Sequence, residues 1–201
     1  MSGSAAGLLL AAGAGRRMGG PKALVELAGR PLVLRALDAL REGGCAPLVV
    51  VLGAAADRVA PLLPPDALPM IAPDWAEGMG ASLRAGLASL RDVSAPAALV
   101  HLVDLPGVGA PAIARLAACA DEGPDVLARA AYHARPGHPV LLGRAHWPAV
   151  AAAARGDAGA RDYLSGHPAL RLVECGDLAD PRDVDTPEAL RAFSPHPSSE
   201  S

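Results

Sequence analysis

An unbroken apolar run, Leu8-Leu9-Leu10-Ala11-Ala12, passes directly into Gly13-Ala14-Gly15-Arg16-Arg17-Met18-Gly19-Gly20-Pro21-Lys22. The first part reads as a buried strand. The second reads as a turn at that strand's carboxyl end, because Gly13, Gly15, Gly19 and Gly20 remove the side chains that would hold backbone N–H groups away from an anion. Arg16, Arg17 and Lys22 concentrate positive charge on the same few residues. A strand ending in an anion cradle constrains the chain to folds whose strand ends open onto a ligand crevice, the α/β sheets above all. The predicted ligand is a nucleotide phosphate.

Spacing excludes the two most familiar phosphate loops. A P-loop needs Gly-Lys-Ser/Thr in series, with the hydroxyl on magnesium. Here Pro21 separates Gly20 from Lys22, and Ala23 follows. The dinucleotide fingerprint needs glycine where Met18 stands, and an acidic residue about 20 residues on at the end of a second strand. That second strand ends Val51-Leu52-Gly53, with nothing to hold a ribose diol.

The chain has 201 residues, 51% hydrophobic but only 2% aromatic. Its core must be built from Ala, Leu and Val, which suits parallel strands covered on both faces. Strands are predicted at 7–12, 48–53, 69–72, 98–103, 126–131, 139–142 and 171–174. Helical periodicity separates them: Val33, Ala36, Leu37 and Leu40 share one face, as do Ile113, Leu116, Ala117 and Ala120. Pro111 suits the first turn of that second helix. Alternating strands and helices predict an α/β three-layer sandwich with a mostly parallel, Rossmann-like sheet. No repeat or linker divides the chain, so residues 1–193 are expected to form one domain and 194–201 a disordered tail.

The net charge of −3 provides no basic field for nucleic acid or an anionic membrane. No apolar stretch approaches membrane-spanning length, and the run from Ala5 to Ala14 lacks the basic residues that precede a signal sequence. Cys45, Cys119 and Cys175 are odd in number and widely spaced, which predicts buried, reduced thiols and a cytoplasmic location.

Asp104 closes the apolar run Leu99-Val100-His101-Leu102-Val103, at the carboxyl edge of a central strand onto which the glycine loop also opens. A carboxylate there can hold Mg²⁺, which takes one or two carboxylates plus substrate phosphates. Asp is equally the residue type that starts a turn before Pro106. Gly78, Met79 and Ser82 read as a turn before a helix carrying Leu83, Leu87 and Leu90, whose free N–H groups suit an anion; Ser82 as a plain N-cap is the competing reading. His101 reads as a satisfied core residue. His133, His146, His167 and His196 have no metal-ligand spacing.

From Leu10 to Lys22 the chain resembles the signature of the MobA-like nucleotidyltransferases, L-x-A-G-x-G-x-R-M-G-x-x-K. Within them it is most similar to the MocA-like molybdenum cofactor cytidylyltransferases. Trp75 to Leu83 resembles that branch's W-x-x-G-M-x-x-S-L segment. Val103-Asp104-Leu105-Pro106, Gly137-His138-Pro139, Gly156-Asp157-Ala158-Gly159-Ala160-Arg161 and Asp183-Val184-Asp185-Thr186-Pro187-Glu188 follow in the family's order, so the matches span residues 8 to 190.

The resemblance implies a fold of the nucleotide-diphospho-sugar transferase type and a Mg²⁺-dependent transfer. A nucleoside monophosphate passes from CTP to the phosphate of a molybdopterin-type acceptor, and pyrophosphate leaves. A molybdenum hydroxylase is implied as client. Leu10, Ala11, Ala12, Gly13, Ala14, Gly15, Arg17 and Lys22, with Gly78 and Ser82, would bind the nucleotide. Lys22, Arg17 and Asp104 would be catalytic. Asp104 and Asp185 would hold the metal, with Asp183 as the alternative second ligand and a helix start before Pro187 as the structural reading. Gly137, His138, Pro139, Asp157 and Arg161 would bind the acceptor, although Asp157 and Arg161 also suit a helix cap and a surface ion pair.

Ala12 stands where the guanylyl branch has glycine, so its methyl group favours CTP, with GTP as the alternative. Ala72 and Ala81 replace a usual asparagine and a common serine, which removes two hydrogen-bonding groups. That departure keeps a nicotinamide-dependent pigment reductase of the nicotine blue type as an alternative on the same fold. A non-catalytic carrier that hands cofactor to a molybdenum enzyme is a third.

Overall fold

The apolar run near the start of the chain is strand β1 (Ala6–Ala11), with all six residues buried. It lies inside a seven-stranded sheet in the computed structural model, which describes residues 4–193. The other strands are β2 (Glu26–Leu27), β3 (Arg30–Pro31), β4 (Leu48–Leu52), β5 (Ala67–Ile71), β6 (Ala97–Leu102), β7 (Leu127–Tyr132), β8 (Arg135–Gly143) and β9 (Leu170–Glu174). The helices are α1 (Leu32–Glu42), α2 (Ala56–Val59), α3 (Met79–Ser89), α4 (Ala110–Ala117), α5 (Trp147–Ala153), α6 (Arg161–Leu164) and α7 (Pro187–Phe193).

The sheet order is β5-β4-β1-β6-β8-β7-β9, with β2 and β3 forming a separate small hairpin. β1 pairs parallel with both β4 and β6, β5 parallel with β4, and β9 parallel with β7. β8 alone runs antiparallel to its neighbours β6 and β7. Alternate residues of the central strands enter two cores, as the period-two side-chain alternation requires. Leu9, Ala11, Val50, Leu52 and Leu99 pack with Leu37, Leu40, Ile113 and Leu116 of α1 and α4. Leu8, Leu10, Val49, Val51 and Val100 pack with Leu83, Leu87, Trp147 and Val150 of α3 and α5. Each fully buried Leu contributes about 1.5–3 kcal/mol, so both layers rest mainly on aliphatic side chains, with Tyr132 and Trp147 as the buried aromatics. Pro111 lies in the first turn of α4, as its position predicts.

Six of the seven predicted strands fall within two residues of their observed bounds. The exception is β8, which starts at Arg135 rather than Pro139. Arg135 and Pro136 are not a turn entering a strand; they pair with Tyr132 and Ala131 as a hairpin. The turn itself is His133-Ala134, both at positive φ (52° and 63°). Two-residue hairpin turns of this kind normally carry Asn or Gly. Here the Glu174 carboxylate accepts hydrogen bonds from the N–H groups of both His133 and Ala134 at 3.0 Å. The turn is held from outside, so its own residues give no signal.

Cys45 and Cys175 are buried and Cys119 is only partly so; all three are unpaired. Burial pushes the Cys45 thiol up to about 12. Among the described residues no helix is long and apolar enough to cross a membrane. The predicted tail, 194–201, and His196 within it lie outside the described residues.

Candidate active site

The loop after β1 folds back on itself. Met18 N and Gly20 N both donate to Gly15 O, at 3.0 and 3.2 Å. Gly15 has φ +61°, and a Cβ there would lie 1.9 Å from Gly20 O. This one glycine therefore closes the turn. A Cβ at Gly13 or Gly20 would meet nothing within 4 Å, so space remains beside the backbone at both.

Lys22 leaves this loop and reaches across the end of the sheet. Its Nζ donates to Asp104 Oδ2 at 2.6 Å and also to Asp185 Oδ1. Arg17 makes a second ion pair with the other Asp185 oxygen at 2.6 Å. The two carboxylates come from distant parts of the chain and are joined by backbone: Val184 N donates to Asp104 O at 2.8 Å, and Asp180 N to Gly107 O at 3.1 Å. Val184 is fully buried and pins the segment between Asp183 and Asp185. Asp185 does not cap α7. Thr186 does, through Ala189 N to its Oγ1 at 3.2 Å, which leaves the Asp185 carboxylate to Lys22 and Arg17.

The electrostatics follow from this packing. Burial would lower the Lys22 ammonium, but Asp104 and Asp185 outweigh it and hold it above its usual value. The hydrogen bond from Lys22, with the charge of Arg17, holds Asp185 below the usual carboxylate range. Asp183 is pushed up by burial and by the neighbouring Asp185 and Asp104 carboxylates. Among the described residues no three His, Cys, Asp or Glu side chains are placed to hold an ion alone. Two hard oxygen ligands completed by phosphate oxygens is the donor set that Mg²⁺ accepts, so Asp104 and Asp185 fit such an ion.

Two cavities meet at this cluster. The smaller, about 430 Å³, is lined by Leu10, Ala12, Gly13, Ala14, Gly15 and Arg17 together with Trp75, Gly78, Met79 and Ser82. The larger, about 700 Å³, lies over β8 and β7 and is lined by Arg129, Gly137, His138, Asp157 and Arg161, among others. Lys22, Asp104 and Asp185 line both. Of the residues expected to bind the nucleotide, all but Ala11 line the smaller cavity, and of the acceptor residues Gly137, His138 and Arg161 line only the larger; Leu10, Arg17, Lys22 and Asp157 line both.

Several expectations need correction. The Ala11 side chain packs in the α1–α4 layer, so only its backbone can face a ligand. Pro139 is absent from the wall of the larger cavity, while His138 and Gly137 line it from within β8. Met79 and Ser82 are inside α3, not in a turn before it; Gly78 is the N-cap, and Ser82 is a buried residue of the first turn that faces the smaller cavity. Ala72 and Ala81 are both buried and line neither cavity, so their loss of polarity falls in the core rather than on a substrate wall. Asp157 and Arg161 form neither a mutual ion pair nor a side-chain cap among the described residues; both face the larger cavity. His101 is buried as expected, but its Nδ1 has no hydrogen-bond partner.

Trp75 and Arg129 line the site without having been singled out for it. Trp75 packs so closely over Gly53 that a Cβ there would lie 2.5 Å from its ring. Trp75 and Met79 sit in a recognised segment, whereas Arg129 lies in an otherwise apolar strand. A lone arginine in Leu127-Ala128-Arg129-Ala130-Ala131 is the signal that could have found it.

A family model described as the MobA-like NTP transferase domain matches residues 7–172. The chain is 40% identical over 195 residues to a protein of Paenarthrobacter nicotinovorans named nicotine blue oxidoreductase, covering 92% of this chain and 93% of that one. Its fold matches the crystal structure of an Rv0371c homologue from Mycobacterium sp. strain JC1 with a TM-score of 0.80 and 29% identity, over 94% of this chain and 96% of that chain. The Mycobacterium tuberculosis Rv0371C structure, solved as a complex with manganese, shares the fold at a TM-score of 0.76 and 24% identity, over 94% and 97% of the two chains.

Proposed function

The chain belongs to the MobA-like NTP transferase family, and we propose that it transfers a cytidylyl group from CTP to the phosphate of a molybdopterin-type acceptor. The observation that carries this reading is that two cavities, one built on the glycine loop and one on β7 and β8, meet at Lys22, Asp104 and Asp185. A reaction joining two bound molecules needs such a shared wall. Gly13, Ala14, Gly15 and Ser82 line the nucleotide side with Ala12, whose methyl group would disfavour a purine. Gly137, His138, Asp157 and Arg161 line the acceptor side.

The acceptor's phosphate oxygen attacks the α-phosphorus, and a new P–O bond forms. The bond from the α-phosphorus to the α–β bridging oxygen breaks, and its electron pair leaves with pyrophosphate. An ionised phosphate needs no strong base, so catalysis consists of positioning and charge neutralisation. Arg17 and Lys22 would grip the triphosphate. Asp104 and Asp185 would hold Mg²⁺, which supplies further positive charge to the phosphates when bound. The product would pass to a molybdenum hydroxylase.

The 40% identical relative is named an oxidoreductase, which favours one other reading, the nicotinamide-dependent pigment reductase kept as an alternative from the sequence. Against it, β4 ends at Leu52 followed by Gly53-Ala54-Ala55, with no carboxylate for a ribose diol. Thermal unfolding with Mg²⁺ plus CTP, GTP, ATP or NADPH tests both. A ligand at 100 times its dissociation constant stabilises by about 2.7 kcal/mol, a shift of about 5–11 °C for a domain of this size. A magnesium-dependent shift with CTP alone is the expected result, and Asp104→Ala is expected to remain folded and release no pyrophosphate. A shift with NADPH and none with a triphosphate overturns the reading in favour of the reductase.

A further inference from the structure

Arg129 occupies an unusual place for a guanidinium. It stands on β7 at the point where the register with β8 shifts, and its Nε donates to Gly137 O at 2.8 Å. That bond ties the side chain to β8, and Arg129 lines the wall of the larger cavity. Among the described residues no carboxylate forms an ion pair with it. Its surroundings are burial and a second cation, Arg161, both of which disfavour the charge. His138 shares this end of the cavity. Its Nδ1 is buried without a hydrogen-bond partner, and burial with the charges of Arg129 and Arg161 lowers the ring to about 4, so the imidazole is neutral near pH 7. Arginine does not lose its proton in proteins, so the like-charge pair persists unless an anion relieves it.

We propose that Arg129, with Arg161 beside it and His138 behind it, is the site that receives the acceptor's anionic group, a phosphate monoester. The planar guanidinium suits bidentate contact with phosphate oxygens. Arg129 lines only the larger cavity and not the smaller one, so its partner is the acceptor and not the triphosphate. That this phosphate is the attacking group rests on the transferase reading. The anion site itself stands on the geometry of β7 and β8. Arg129 is then a positioning residue for the acceptor, and its side chain, tethered to Gly137, sets how deeply the phosphate enters.

The test uses the full chain with its triphosphate cradle filled by Mg²⁺ and the α,β-methylene analogue of CTP, which cannot release pyrophosphate. Inorganic phosphate is titrated by calorimetry against acetate at equal ionic strength, in the wild type and in Arg129→Met, Arg129→Lys and Arg161→Met. The wild type is expected to bind phosphate in preference to acetate. Arg129→Met should weaken phosphate about tenfold or more, as loss of a charged hydrogen bond predicts, while leaving the analogue's own affinity within about twofold. Arg129→Lys should restore only part, because the fork geometry is lost. Arg161→Met removes a neighbouring charge without touching the Gly137 tether, and a phosphate loss there supports the site even if Arg129→Met fails to fold. No phosphate preference in the wild type, or equal phosphate affinity in the Arg129 and Arg161 variants, overturns the proposal. If the analogue does not bind but phosphate does, in an Arg129-dependent way, the transferase reading falls and the anion site stands.

Discussion

Lys22 Nζ sits 2.6 Å from the Asp104 carboxylate and donates at the same time to Asp185, a residue 163 positions away. One ammonium therefore bridges the two carboxylates that a metal would need, and Arg17 supplies the second positive charge at Asp185. On the proposed function, the lysine and a divalent ion would compete for the same oxygens until a triphosphate gave Lys22 another partner.

Lys22→Met is expected to separate these effects. Mn²⁺ alone should bind the variant more tightly than the wild type, since the internal cation is gone. Mg²⁺·CTP should bind at least about tenfold more weakly, for want of one charged contact. Electron paramagnetic resonance of free Mn²⁺ reads the first quantity and calorimetry the second. Equal or weaker Mn²⁺ binding in a folded variant would show that Lys22 does not guard the carboxylates.

Asp183→Asn is expected to stabilise the protein at neutral pH. The Asp183 carboxyl is raised in the folded state by burial and by its two aspartate neighbours. A raised acid binds its proton more readily when folded, so stability falls as pH rises from the ordinary carboxylate value of 3.8 through the folded value. Asparagine removes that penalty above this window and changes nothing below it. Urea midpoints in acid and at neutral pH check the sign. Loss of metal binding together with the gain in stability would make Asp183 a ligand as well.

The same bookkeeping runs the other way for His101. Burial, aided by His138, lowers its ring from 6.5 to about 3. As pH falls below 6.5, the unfolded chain takes a proton that the folded one refuses, so stability is lost down to the folded value. His138 does likewise to about 4. His101→Leu, close in size and without the orphaned Nδ1, should remove one of these two protons, about 1.4 kcal/mol per pH unit of slope. Unchanged pH dependence of the urea midpoint between about pH 6 and pH 5 would contradict the assignment.

Gly80→Ala sets two effects against each other. Alanine in a helix gains about 1 kcal/mol over glycine. A Cβ at position 80, however, would lie 2.7 Å from Arg155 N and 2.9 Å from Arg155 C, which are backbone atoms that cannot turn aside. Overpacking of that kind costs about 1–3 kcal/mol, so the net effect should be destabilising. The displaced segment carries Asp157, which lines both cavities, so CTP affinity should fall along with the melting temperature. A variant more stable than wild type, with unchanged affinity, would show that the segment yields at no cost.

The parts of this site that were legible in the sequence are those where local composition dictates the backbone. The glycine loop, the aspartate ending β6 and the buried central strands belong to this class, and each lies where its residues placed it. Asp185 was legible only as a resemblance, because its position depends on the Val184–Asp104 backbone bond, which no local pattern encodes. The hairpin at His133-Ala134 was not legible at all: its stabilising group, Glu174, stands 40 residues further on. Arg129 was overlooked because strand patterning treats an isolated charge as an edge residue. Here it faces a cavity floored by an antiparallel strand, and only tertiary structure shows that.

The position of β8, antiparallel between β6 and β7, has a consequence for how such a protein can change. It splits one sheet into one arm, β5-β4-β1-β6, which carries the glycine loop, and a second, β8-β7-β9, beside the larger cavity, and the two cavities share Lys22, Asp104 and Asp185. Substitutions along the second arm alter what enters the larger cavity while leaving the glycine loop and its lysine untouched. On the proposed function, the chemistry of activation and the choice of cargo are thereby heritable separately, and a change of substrate would need no rebuilding of the machinery that spends the triphosphate.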